Sequence, residues 1–171
     1  SAPGTGAARR RRHGASKRAS KRAGERASER GRAPREGVLI GIVIVAHGGL
    51  AQEYLAAMEH VVGRMEGVRA ISIAPEHDRR AKQSEICAAA DAVDMGDGVV
   101  VVTDMFGGSP SNLSLRACAP EDRLILYGAN LPMLIKLAKS RDLTVREAAS
   151  GALAAGRKYI DAFDGDMGLL G

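Results

Sequence analysis

The sequence is poor in aromatic residues, with three Tyr, two Phe and no Trp among its 171 residues. Hydrophobic residues nevertheless make up 45% of the chain. A sizeable core is therefore possible, but it must be built from Val, Ile, Leu, Ala and Met. The length suits one ordinary domain and not comfortably two.

Cysteine and long apolar runs are also scarce. Cys87 and Cys118 have no CxxC partner and lie in Ala-rich, helix-like stretches, which favours neither a disulfide framework nor a structural zinc site. The longest apolar run, Val38–Ala46, is far shorter than the ~18–20 residues that cross a bilayer. The basic N-terminus has no adjoining apolar segment of the secretory type. We therefore expect a cytoplasmic protein in a reducing compartment, with no membrane insertion and no metal.

Charge is distributed unevenly along the chain. Residues 1–36 hold 12 Lys or Arg against 3 Asp or Glu, whereas residues 37–171 hold 13 against 17. Low complexity and the lack of a periodic apolar face predict a disordered basic tail over 1–36, whose removal should leave folding intact. We expect the folded domain over 37–164 and a flexible C-terminus over 165–171. The tail is suited to salt-dependent contacts with nucleic acid, but an acidic domain with few aromatics does not favour a nucleic-acid partner.

Hydrophobic periodicity alternates between strand and helix patterns after the tail. The predicted strands are Val38–Val45, Val68–Ala74, Gly98–Thr103 and Arg123–Tyr127. The predicted helices are Leu50–Arg64, Arg79–Met95, Ser111–Ala117, Pro132–Ser140 and a last one that opens at Thr144, forms a capping box with Glu147 and runs towards Tyr159. The end of the chain fits helix or strand. This alternation predicts an α/β fold, a doubly wound, mainly parallel sheet of four to five strands with helices on both faces.

A histidine follows the first predicted strand. Chemistry gathers at the carboxyl ends of strands in such sheets, and His47 stands there, before Gly48 and Gly49. The glycines would let a phosphate or another backbone approach closely. An imidazole is nucleophilic near neutral pH and can carry a covalent group on one nitrogen while the other is held by an acceptor. The alternative is a loop histidine without a role.

An aspartate follows the third predicted strand. The first and third strands of a doubly wound sheet are commonly neighbours, which would place Asp104 beside His47. Its carboxylate would then accept a hydrogen bond from Nδ1, fix the tautomer and present the Nε2 lone pair. The alternative is that Asp104 only caps a helix or a turn.

A glycine-rich segment then opens a helix. We expect Ser109 at the N-cap and Pro110 at the first helical position, with the free amides after Gly107 and Gly108 forming an anion site. The alternative is an ordinary capped turn. No Lys follows these glycines as in a Walker A motif, and no GxGxxG follows the first strand. ATP, NAD and FAD are therefore not supported, the scarcity of aromatic rings disfavours a flavin mononucleotide, and we expect no cofactor.

Three segments resemble one known family, the mannose-family enzyme IIA components of the bacterial sugar phosphotransferase system. They are Gly41–Gly48, Val102–Asn112 and Gly128–Met133, in the order and spacing of that family. The resemblance implies that His47 accepts a phosphoryl group from the phosphocarrier HPr and passes it to an enzyme IIB. It also implies that Asp104 orients His47. It further implies that Ser109 lies in the phosphate cradle, and the arguments from the glycines add Gly48, Gly107 and Gly108 to the predicted phosphate-binding residues.

The resemblance also implies a homodimer, in which a segment around Gly156–Phe163 reaches the neighbouring subunit. Phe106 occupies the position where family members often carry Trp, and we expect no fused IIB domain. A second hypothesis uses the same site for regulation: the phosphorylation state of His47 would control binding to another protein, without sugar transport. His77 follows the second strand and is expected at the same edge, where it is either a partner contact or a surface residue. The sugar cannot be deduced from a subunit that would contact only proteins.

Overall fold

The computed structural model describes residues 39–165 and 168–169. Its strands are β1 Gly41–His47, β2 Val68–Ile73, β3 Val99–Thr103, β4 Arg123–Tyr127, β5 Phe163–Asp164 and β6 Gly168–Leu169. Its helices are α1 Leu50–Val62, α2 Arg79–Val93, α3 Ser109–Ser114, the 3₁₀ helix Leu115–Cys118, α4 Leu131–Ala138 and α5 Val145–Lys158. Among the described residues, no helix has both the length and the apolar character needed to cross a membrane.

The main sheet is parallel and has the strand order β2-β1-β3-β4. The two central strands are almost entirely apolar, because a parallel sheet with helices on both sides buries both faces of its inner strands. The predicted doubly wound α/β fold with helices on both faces is confirmed, with four strands in the main sheet. The order also confirms that the first and third strands are neighbours.

Alternate residues of β1 point into two separate cores. Ile42 and Ile44 belong to the cluster that α1, α4 and α5 cover, whereas Val43 and Val45 belong to the cluster on the side of α2 and α3. All four side chains are fully buried. The strand is thus fixed from both sides, which gives the residues at its carboxyl end a rigid support.

The first strand is displaced along the sequence from its predicted position. It begins at Gly41 and extends to His47, whereas the prediction ended at Val45. Pairing with β2 continues through Ala46 and His47, and this pairing carries the strand two residues further. His47 is therefore the last residue of the strand and not the first residue after it. The predicted start at Val38 lies outside the described residues.

The start of α3 also differs from the prediction. Gly108, in an extended conformation (φ −77°, ψ 173°), occupies the N-cap, and Ser109 is the first helical residue, so the expectation of Ser109 as the cap was wrong. The N-cap of this helix therefore has no side-chain capping bond. The Gly108 carbonyl instead accepts from the Ser111 hydroxyl at 3.0 Å and from the Asn112 amide at 3.1 Å.

The predicted capping box at the start of α5 is confirmed, with Thr144 and Glu147 bonding reciprocally. Beyond α5, β5 and β6 form a separate antiparallel pair. The predicted tail over 1–36 lies outside the described residues. The domain limits of 37–164 and the flexible C-terminus of 165–171 therefore stay predictions.

Candidate functional site

His47 stands at the exposed carboxyl end of the central strand β1. Its side chain is 46% exposed although the six residues before it are buried. The chain then turns at Gly48, whose φ of +53° lies in the left-handed region that glycine adopts without strain. The Gly48 amide donates to the Ile73 carbonyl at 2.9 Å. Gly48 therefore contributes open space beside the imidazole, since its N–H is already engaged.

Asp104 directly follows β3, the strand that pairs with β1, and the structure brings it against His47. Its Oδ2 accepts the His47 backbone N–H at 3.0 Å and lies 2.8 Å from Nδ1 of the same residue. Its Oδ1 accepts the Met105 amide at 2.9 Å. The Asp104 side chain is only 11% exposed. Neighbouring strands of one sheet thus supply both partners of the pair.

The protonation states of this pair follow from those contacts. Burial raises the pKa of Asp104, but the hydrogen bonds from the His47 amide, the His47 ring and the Met105 amide outweigh burial and hold that pKa below its usual value. Asp104 is therefore ionised near neutral pH and only accepts hydrogen bonds. Nδ1 must then carry the proton of a neutral imidazole, which leaves the lone pair on Nε2.

The loop before α3 lies against the other edge of the imidazole. A Cβ placed on Gly108 would stand 3.0 Å from Cε1 and 3.6 Å from Nε2 of His47. Gly107 has a φ of +79°. Within the described part of the chain, the backbone amides of Gly107, Gly108 and Ser109 donate to no protein acceptor. Free donors therefore lie beside the nitrogen whose lone pair is available.

The loop after β4 is hydrogen-bonded to the end of β3 and to α1. The Ala129 amide donates to the Thr103 carbonyl at 3.0 Å, and the Ala129 carbonyl accepts from the Tyr54 hydroxyl at 2.8 Å. Asn130 caps α4 through the Met133 amide at 3.0 Å. Tyr54 was not predicted as a site residue, because a tyrosine among the apolar positions of an amphipathic helix looks like an ordinary core residue.

Other candidate residues lie apart from the pair. His77 is in the loop between β2 and α2, and its buried Nδ1 has no hydrogen-bond partner among the described residues. No hydrogen bond or ion pair in the described ranges joins it to His47. Phe106 is 76% exposed and packs edge-on against Tyr127, with ring centroids 5.0 Å apart. In the residues that the structure describes, no group of three or more His, Cys, Asp or Glu is arranged to hold a metal ion.

The arrangement suits nucleophilic chemistry on an anionic group. It combines an exposed imidazole with Nε2 available, a buried carboxylate that stabilises positive charge on the ring, and amide donors for the oxygens of an anion. Because phosphoryl transfer requires positioning and charge stabilisation, a phosphoryl group suits this site.

Known proteins share this sequence and this fold. The family model EIIA-man, described as PTS system fructose IIA component, matches residues 41–154. The mannose-specific EIIAB component of Escherichia coli K12 is 29% identical over 126 residues, which cover 72% of this chain and 39% of that protein. The chain thus spans about two fifths of the length of these mannose-specific EIIAB relatives.

Two solved structures share the fold at similar identity. A PTS IIA protein associated with the fucose utilization operon of Streptococcus pneumoniae is 28% identical with a TM-score of 0.62, covering 70% of this chain and 93% of that one. A mannose/sorbose-specific IIA subunit from Enterococcus faecalis is 25% identical with a TM-score of 0.66, covering 74% and 96%. Since the family model spans well over half of the sequence, this chain belongs to the EIIA-man family of phosphotransferase-system IIA components.

Proposed function

We propose that this protein is a phosphohistidine carrier of the sugar phosphotransferase system, in which His47 accepts a phosphoryl group from HPr and passes it to an enzyme IIB. The observation that carries the proposal is the 2.8 Å approach of Asp104 Oδ2 to His47 Nδ1 at the exposed end of β1. Family membership supports the same class of reaction. The activity is a protein phosphotransferase reaction, and its chemistry requires no cofactor.

The transfer step uses Nε2 as the nucleophile. Its lone pair forms the bond to phosphorus while the bond between phosphorus and the donor breaks, and that electron pair leaves with the donor. The ring gains positive charge in this step, which the Asp104 carboxylate stabilises across Nδ1–H. Passing the group to the acceptor reverses the roles, with the imidazole as the leaving group.

The phosphoryl oxygens would be held beside Gly108. The free amides of Gly107, Gly108 and Ser109 supply donors for the charge on those oxygens, and the missing side chain of Gly108 leaves room next to Nε2. Gly48 contributes space on the side of the turn, where a Cβ would meet nothing within 4 Å. The proposed cradle is therefore built mainly from backbone.

The proposal names no sugar, because a IIA subunit of this kind would contact proteins and not the sugar. The relatives are named for mannose, for mannose and sorbose, and for a fucose operon. We expect the carrier to act in the cytoplasm without membrane insertion.

We also propose a homodimer built through the segment Gly156–Phe163. Three large apolar side chains of that segment are mostly exposed in the single chain: Tyr159 at 66%, Ile160 at 73% and Phe163 at 74%. Burying them against a second copy would remove apolar surface from water. Light scattering at micromolar concentration should give twice the chain mass, and a monomer mass would contradict the dimer.

The test of the carrier function is phosphorylation with a defined donor. The full chain is incubated with phosphoenolpyruvate, enzyme I and HPr, and phosphate uptake is followed by intact-protein mass spectrometry. We expect one acid-labile phosphate on the wild type and on His77→Gln, and none on His47→Gln. Uptake by His47→Gln, or no uptake by the wild type, would overturn the proposal.

A further inference from the structure

Tyr54 connects α1 to the loop that follows β4. Its hydroxyl donates to the Ala129 carbonyl at 2.8 Å, across 75 positions of sequence. Ala129 is buried, with 9% of its surface exposed. The Tyr54 hydroxyl is the one donor that the described part of the chain supplies to this carbonyl. Removing it would leave a buried acceptor unsatisfied, a change that favours movement of the loop.

The same loop is bonded to the end of β3. The Ala129 amide donates to the carbonyl of Thr103 at 3.0 Å, and Thr103 is fully buried. Thr103 directly precedes Asp104, so a shift of Ala129 would reach the backbone that carries the carboxylate. The bonds run in sequence from Tyr54 through Ala129 and Thr103 to the residue that contacts Nδ1 of His47.

Charge links the two side chains as well. Burial raises the pKa of Tyr54, and the nearby negative charge of Asp104 raises it further. The phenol therefore stays protonated over the neutral range and remains a hydrogen-bond donor. That Asp104 influences the phenol also means that Tyr54 lies within electrostatic reach of the carboxylate.

We propose that Tyr54 is a positioning residue for the His47–Asp104 pair: by holding Ala129 it fixes the end of β3, so that Asp104 Oδ2 stays on Nδ1 of His47. This inference rests on the proposed carrier function for its effect on rate. Its effect on the imidazole does not depend on phosphorylation, since the Nδ1–Oδ2 contact is present in the unphosphorylated chain.

The first test compares two single hydroxyl deletions in the full chain, Tyr54→Phe and the control Ser84→Ala. Ser84 is exposed on α2, where its hydroxyl donates to the Arg80 carbonyl of the same helix at 3.1 Å. We expect Tyr54→Phe to slow phosphate uptake from HPr by about three- to tenfold, the equivalent of one net hydrogen bond. The control should keep the wild-type rate. Equal rates for Tyr54→Phe and wild type would overturn the inference.

The second test reads the imidazole directly. Nitrogen-15 NMR of labelled, unphosphorylated chain reports which ring nitrogen of His47 carries the proton. We expect wild type and Ser84→Ala to show protonated Nδ1, and Tyr54→Phe to show a smaller Nδ1–H population at the same pH. Thermal melting of the same samples measures any general loss of stability. Such a loss does not by itself change the tautomer of His47 in the protein that remains folded. An unchanged His47 spectrum in Tyr54→Phe would overturn the inference.

A double-mutant cycle then separates positioning from general support. If Tyr54 acts through the Asp104 carboxylate, Tyr54→Phe should slow an Asp104→Asn chain by less than about twofold, compared with three- to tenfold in wild type. Fully additive losses would show that the two residues act independently and would overturn the inference. If the wild type takes up no phosphate at all, the carrier proposal fails, while the NMR comparison still decides the role of Tyr54.

Discussion

Polar groups are bonded differently at the two edges of the parallel sheet, the carboxyl edge where its strands end and the amino edge where they begin. At the carboxyl edge, the Nε2 of His47 and the amides of Gly107–Ser109 lack protein partners within the described ranges. At the amino edge, the buried Arg141 donates from Nε to the Ile40 carbonyl and from a terminal nitrogen to the Glu66 carbonyl, each at 2.7 Å. The polar groups named at the carboxyl edge are left open to a ligand, whereas these two carbonyls at the amino edge are bonded by the protein itself.

A second arginine forms ion pairs at the amino edge beside β4. Arg123 opens that strand, is 8% exposed, and bonds Asp91 at 2.8 Å and Asp94 at 3.0 Å, both on or next to the end of α2. Burial alone would raise the pKa of Asp94, but the Gly96 amide and the Arg123 guanidinium lower it below the usual value. Charges at this edge therefore stabilise the fold, whereas Asp104 contacts an exposed imidazole.

The largest expected effect is that of Asp104→Asn on phosphoryl transfer. Asparagine has a single acceptor oxygen, but N–H donors approach both carboxylate oxygens, two from His47 and one from Met105. An amide NH₂ turned towards Nδ1 would select the tautomer that protonates Nε2. We expect the uptake rate from HPr in rapid-quench measurements to fall by about 10²–10⁴-fold.

The matched control for this change is Asp94→Asn at the amino edge. This substitution weakens the ion pair with Arg123. Asp94 lies at the amino edge of the sheet, whereas His47 lies at the carboxyl edge. Asp94→Asn should lower the melting temperature and keep the uptake rate of the folded protein. If both variants slow transfer equally, the contrast between the two edges is wrong.

Arg141→Met should show the reverse pattern, a large loss of stability without a loss of chemistry. Methionine keeps part of the buried stem but leaves the carbonyls of Ile40 and Glu66 without their donor. We expect the free energy of unfolding in urea to fall by about 2–4 kcal/mol. Phosphate uptake by the folded fraction should stay within about twofold of wild type, an effect below 0.5 kcal/mol. A stability unchanged by this substitution would contradict the structural role of the amino edge.

Gly108→Ala tests the space beside Nε2 at the carboxyl edge. The backbone conformation at Gly108 is open to any residue, but the new Cβ would stand 3.0 Å from His47 Cε1 and 3.2 Å from Met105 Cγ. Displacement of the ring or of the phosphoryl group should slow uptake by about tenfold. The matched control is Gly49→Ala, where φ is −81° and a Cβ meets nothing within 4 Å. Equal rates for the two alanine variants would remove Gly108 from the cradle.

The smallest expected effect is the pH dependence of stability that Asp104 contributes. Its pKa is lower in the folded chain than in the unfolded chain, so its stabilisation is complete above about pH 4, the unfolded value. The contribution is lost as the pH falls through the lower folded pKa. Urea unfolding gives the free energy of unfolding of wild type and of Asp104→Asn. The difference between the two free energies should be constant from pH 7 to about pH 4 and become smaller below it. A difference in free energy of unfolding that does not change with pH down to about pH 2 would contradict an ionised, hydrogen-bonded Asp104.

Local and periodic signals in the sequence predicted most of the fold. The buried runs of β1 and β3 and the Thr144–Glu147 capping box each have a pattern that is readable within a few residues. The neighbouring placement of β1 and β3 also followed from a general rule of doubly wound sheets. The position of Asp104 next to His47 was therefore predictable without coordinates.

Features that depend on pairing or on distant contacts were not predictable. The extension of β1 to His47 depends on its register with β2, and the cap at Gly108 depends on backbone angles that a Ser-Pro pair does not fix. The contact of Tyr54 with Ala129 joins residues 75 positions apart, which no periodicity records. Sequence patterns thus predicted the contact of His47 with Asp104 but not the contact of Tyr54 with Ala129.

The most direct test of the central claim is the position of the phosphate on the imidazole. The chain, labelled with nitrogen-15, is phosphorylated through HPr, and its phosphohistidine is assigned by nitrogen-15 and phosphorus-31 NMR. Because Asp104 occupies Nδ1 at 2.8 Å, we predict a single phosphoryl group on Nε2 of His47. Phosphate on Nδ1 of His47, or on His77, would contradict the account.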